Sequence, residues 1–135
     1  IVNFRDVTNR TPLHCAAASG NAAVAKYLLN QHADIEIKDY SGRTPLVLAC
    51  SERKWEVIQE LVDAGAKLDA VDPQGRTALH YMADGDAITK LISILTESVD
   101  STTAKDLANL QDQSGHTPLH LAAEHGNSAA VGQLL

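Results

Sequence analysis

The apolar positions of this chain come in short clusters that return at regular intervals. Ile88, Leu91, Ile92 and Leu95 stand three and four residues apart, the spacing that lines side chains along one face of a helix. An apolar pair marks each cluster: Leu28-Leu29, Leu61-Val62, Ile94-Leu95 and Leu134-Leu135. Ahead of the pairs lie shorter stretches carrying two small residues, Ala16-Ala17, Ala49-Cys50 and Ala122-Ala123, which let neighbouring backbones approach closely. The pattern predicts a first helix over Pro12 to Ser19, a break at Gly20 (Gly126 in the last copy), and then a second helix. Neither helix could bury its apolar face alone, so each pair must stack on the next to make a continuous core.

The register is set by Thr11-Pro12-Leu13-His14, which recurs as Thr44-Pro45-Leu46-Val47, Thr77-Ala78-Leu79-His80 and Thr117-Pro118-Leu119-His120, at spacings of 33, 33 and 40 residues. Five residues before each threonine stands an aspartate: Asp6, Asp39, Asp72, Asp112. Two residues before it stands a turn former: Asn9, Gly42, Gly75, Gly115. Aspartate and glycine so spaced supply a tight turn. Threonine caps a helix, and proline suits the first helical position, where no amide hydrogen is needed. The pattern Asp-x-x-Gly-x-Thr-Pro-Leu-His-x-Ala-Ala resembles the ankyrin repeat. Asp39 to Cys50 and Asp112 to Ala123 match it closely, and the resemblance covers nearly the whole chain.

The resemblance implies an all-α ankyrin-repeat solenoid of stacked helix-turn-helix units with projecting hairpin-like turns. In the family the turns form a row of fingertips, which line a concave binding face together with the first helices. One domain over residues 1–135 is expected, with repeats at 6–38, 39–71, 72–111 and a truncated 112–135. Ile1 to Asp6 align with Lys67 to Asp72, and Leu135 falls within a second helix, so a fragment of a longer array is expected. The third copy departs most. It carries Tyr81-Met82 where the first has Cys15-Ala16, and seven extra residues near 101–107. The insertion starts polar, and although Ala104 to Leu110 could add one helical turn, a plain surface loop is expected. A similarly long stretch occurs in ankyrin domains that restrain Rel-type transcription factors.

Composition narrows the function. The 135 residues are 44% hydrophobic and 21% charged, as in a soluble globular chain. No apolar run approaches the roughly 20 residues that cross a bilayer, and residues 1–10 lack a signal-peptide core. A net charge of −6 disfavours direct nucleic-acid binding. Two cysteines in apolar stretches, Cys15 and Cys50, fit reduced thiols in an intracellular protein, cytoplasmic or nuclear. Asn9-Arg10-Thr11 matches a glycosylation acceptor by chance.

No catalytic residue and no cofactor is expected. Cys15 and His14 are adjacent on a helix and point about 100° apart, so they do not form a nucleophile–base pair. His116, His120, Glu124 and His125 fall within ten residues, yet His120 belongs to the repeat motif, where the family uses it to bond the cap threonine and neighbouring turns. A metal site at His116 and His125 stands as a lesser reading, and packing is expected for Trp55 and Cys50. The column before the cap threonine reads Arg10, Arg43, Arg76, His116. Two readings stand: a positive ladder along the fingertips, fit for an acidic partner segment, or braces against Asp39, Asp72 or Asp112. Tyr40, Gln74, Gln113 and Ser114 on the turns, with Ser51, Glu52 and Asp84 on the first-helix edge, complete the expected partner-binding face. The expected function is a non-catalytic protein–protein interaction module. A regulator resembling the inhibitors of Rel-type factors is one form of it, and a structural or regulatory segment of a larger enzyme or channel is the alternative.

Overall fold

In the computed structural model of the chain the backbone is described for residues 1–83, 86–98 and 101–135. These hold nine helices and no strand: α1 Pro12–Ser19, α2 Ala22–Asn30, α3 Pro45–Ser51, α4 Trp55–Asp63, α5 Ala78–Tyr81, α6 Ala87–Ser98, α7 Ser101–Ala108, α8 Pro118–Glu124 and α9 Ser128–Leu134. The first helices of the repeats, α1, α3, α5 and α8, pack in series, and so do α2, α4, α6 and α9. This is the helical solenoid that the repeat register implies. No helix among the described residues is long and apolar enough to cross a membrane.

Three of the four first helices, α1, α3 and α8, begin on the same local chemistry. Thr11, Thr44 and Thr117 are extended, and their hydroxyl oxygens accept from the amides of His14, Val47 and His120, with proline at the next position. The cap satisfies one amide that the helix leaves open, and proline removes another. α1 ends where expected, on Gly20 at φ +79°. Leu13, Leu46 and Leu79 then point into the core, buried, each contributing about 2 kcal/mol by leaving water. α4, flanked by α2 and α6, buries Val57, Ile58, Leu61 and Val62, whereas α2 buries only Ala25. Ile88, Leu91, Ile92 and Leu95 are buried along α6, the face that their spacing predicts.

The third repeat is rebuilt rather than merely extended. Met82 lies wholly buried in the column that Ala16, Ala49 and Ala122 occupy elsewhere, and α5 stops just before it. The stretch after Leu95 is not the plain loop expected from its polarity. α6 continues to Ser98, and Ser101–Ala108 form a further helix that packs on α6 with Leu107 and Ala108 buried. The serine and threonines at its start mask an apolar anchor that arrives only at its end.

Candidate functional site

The projecting turns are built from one repeated set of hydrogen bonds. In each, the fourth residue donates its amide to the aspartate carbonyl: Asn9 to Asp6, Gly42 to Asp39, Gly75 to Asp72 and Gly115 to Asp112, all at 2.9–3.0 Å. The aspartate amide in turn donates to the carbonyl of the residue after the glycine position, Arg10, Arg43, Arg76 or His116. The aspartate side chain fixes the loop from within: Asp72 Oδ1 accepts from the amides of Gln74 and Arg76, and Asp112 Oδ1 from those of Ser114 and His116. The fourth position is left-handed throughout, φ +74° at Gly42 and +62° at Asn9, which glycine adopts without strain and asparagine tolerates.

Neighbouring turns are stitched edge to edge. Tyr40 donates its amide to Thr8 O at 3.1 Å, and Gln113 donates its amide to Gln74 O at 2.8 Å. The motif histidines add a second stitch. Thr11 donates its amide to His14 Nδ1, so the proton sits on Nε2, which donates to Arg43 O at 3.0 Å. His80 repeats this with Thr77 and with His116 O at 2.9 Å. The middle seam has neither bond. Pro73 stands where Tyr40 and Gln113 supply an amide, and Val47 stands where His14 and His80 supply an imidazole. Pro73 instead packs on Gly42, so closely that a Cβ there would lie 2.7 Å from the ring's Cδ and Cγ.

Of the two readings of the arginine column, bracing is the observed one. Arg10 Nε and Arg43 Nη2 approach the same oxygen, Asp39 Oδ2, at 3.6 and 3.4 Å, and Arg76 Nε lies 3.1 Å from Asp72 Oδ2. Asp39 and Asp72 are buried, whereas the three arginine side chains keep 32, 21 and 41% of their surface, so the outward polarity of each brace is positive. Tyr81 donates its hydroxyl to Asp72 Oδ2, and the Arg76 guanidinium lies 4.8 Å from the Tyr81 ring centre. Burial works against the charge of Asp72. The bond from Tyr81, the amide and guanidinium of Arg76 and the amide of Gln74 outweigh it and hold the carboxyl below its usual range. Burial, then the bond to Asp72, pushes the Tyr81 hydroxyl up to about 12.

The remaining expected residues separate into two groups. Tyr40 is 77% exposed at a turn tip, and its side chain enters none of the hydrogen bonds described. Gln74 accepts from Arg76, Gln113 donates its side-chain amide to Pro73 O, and Ser114 is exposed beside them, so these join the finger surface. Ser51 and Glu52 sit at the far end of α3, where the Ser51 hydroxyl is spent on Leu48 O at 2.8 Å. Asp84 lies outside the described residues. His116 presents its ring 6.1 Å from that of His120, and His125 Nδ1 donates to Leu121 O at 2.7 Å. Among the described residues no group of three histidine, cysteine or acidic side chains is placed to hold a metal ion.

Trp55 packs half-buried against the core as expected, with Lys90 Nζ 4.5 Å above its ring. Cys50 is wholly buried, its thiol pushed up to about 12 by desolvation, whereas Cys15 is exposed. Sequence reasoning missed the tips on either side of Tyr40: Val7, 92% exposed, and Pro73, also exposed. The signal was available, since all three follow directly on the repeat aspartate. It also missed Tyr81 as the partner of Asp72, nine residues upstream, because no periodic column joins them.

The family model for ankyrin repeats matches residues 1–72, 38–101 and 54–135. No curated protein matches the chain.

Proposed function

Since the chain belongs to the ankyrin-repeat family, whose members' repeats generally mediate protein–protein interaction, we propose that it is a non-catalytic module gripping an acidic segment of another protein along its fingers and the adjoining first helices. The observation that carries this reading is the brace geometry: buried Asp39 and Asp72 hold Arg10, Arg43 and Arg76 with guanidinium surface turned to solvent. Beside them Val7, Tyr40 and Pro73 offer exposed apolar tips on three successive turns. A cationic row edged by apolar tips suits an acidic strand that carries an occasional large apolar side chain, and preordered turns lower the cost of binding it. The thiols, one exposed and one sealed in the core, favour a reducing intracellular setting, cytoplasmic or nuclear.

A regulator resembling the inhibitors of Rel-type factors is one form of this module, favoured by the lengthened third repeat. Capture from a lysate, with the chain as bait beside a Tyr40→Ala version, tests the reading. Among the described residues the Tyr40 side chain has no hydrogen-bond partner, so a partner held only by the unaltered chain supports the finger surface. Equal capture by both moves the interface elsewhere, and capture by neither favours a segment serving a larger enzyme or channel.

A further inference from the structure

We infer that one face of α7 forms a second docking groove, separate from the fingers, for a cationic amphipathic segment of a partner protein. A cleft of about 380 Å³ opens between α7 and the chain leading into the third turn, walled by Asp69, Thr103, Asp106, Leu107 and Leu110. Thr103, Asp106, Leu107 and Leu110 stand at i, i+3, i+4 and i+7, a single helical stripe continued just past the end of α7. Leu107 is 6% exposed and forms the floor, while Leu110, 36% exposed, forms an open apolar edge.

The two carboxylates give the cleft its chemistry. Asp69 and Asp106 are exposed, and neither side chain enters a hydrogen bond or ion pair among the described residues. This sets them apart from the repeat aspartates, whose oxygens are occupied by turn amides and arginines. Among the described residues no cation lines the cleft: Lys67 and Lys105 are close in sequence yet form no part of its walls. An apolar floor between two unanswered carboxylates matches an apolar side chain carried between lysines or arginines. The same charges repel acidic peptides and phosphate-bearing surfaces. The cleft holds a few side chains rather than a folded domain, and the chain's net charge of −6 steers a cationic segment towards it.

The test uses the whole chain, isotope-labelled, titrated at physiological salt with a short amidated peptide of one leucine between paired lysines. A glutamate-for-lysine twin serves as control. The lysine peptide is expected to shift amides around 69 and 103–110 and to saturate, and the twin to leave them unmoved. Asp69→Asn with Asp106→Asn is expected to weaken binding about tenfold, both sites being exposed enough for folding to survive. Shifts spread over the whole acidic surface, shifts on the fingers alone, or unchanged affinity in the double variant would each overturn the groove. A non-folding double variant is answered by Leu110→Ser, which must weaken binding as well. The finger reading stands or falls separately, on Tyr40.

Discussion

A carboxylate nearly closed off from solvent needs its charge answered on the spot, and arginines answer Asp39 and Asp72. Reversing Arg43 and Arg76 to glutamate would set like charges against those buried groups. A loss of about 2 kcal/mol per site is expected in urea unfolding, with glutamine versions intermediate. The sequence column alone leaves a free ladder and a brace equally open. Register places arginine and aspartate in columns but does not say whether their side chains turn towards each other. His14 gives a second test. Burial lowers its pKa below 6.5 against the opposing pull of Arg43 O, so the folded state holds the ring neutral while the unfolded chain protonates it more readily. Its contribution is therefore complete above pH 6.5 and is lost as pH falls through the folded value. His14→Asn should cost about 1 kcal/mol at neutral pH and flatten the acid side of the stability profile relative to the parent.

At the scale of the element, turns and caps were the most legible parts, because Asp-x-x-Gly and Thr-Pro carry their geometry in a few adjacent residues. Gly42→Ala is expected to cost about 2 kcal/mol or more in thermal unfolding, from a φ of +74° and the collision with Pro73. The collision was invisible in the sequence, since it depends on which face of the proline meets the glycine across a seam. The insertion was the least legible element. A polar opening argued for a loop, while its fold depends on Leu107 and Ala108 reaching the core beside α6. Removing 101–107 restores the 33-residue spacing, yet it strips Leu107 from that core. The shortened chain should unfold at distinctly lower denaturant, by about 2–3 kcal/mol, instead of matching its parent.

For the molecule as a whole, the two thiols report different events. Cys15 is exposed and should react with a disulfide reagent at once under native conditions. Cys50, wholly buried with its thiol pushed up to about 12, should react only as fast as the stack opens, which stopped-flow labelling would resolve. The seams between repeats are not equal either. The outer two each carry an amide stitch and an imidazole stitch, and the middle one has a proline and a valine in their places. Its turns meet through ring-on-glycine contact, and the bonds that do cross this seam, Lys38 Nζ to Val71 O and the Lys67 amide to Glu36 Oε1, lie behind the turns and leave both stitches unreplaced. Under tension, that is where the column would tear: a chain pulled from both ends should part first between its second and third turns, giving way as two halves rather than unzipping from a tip.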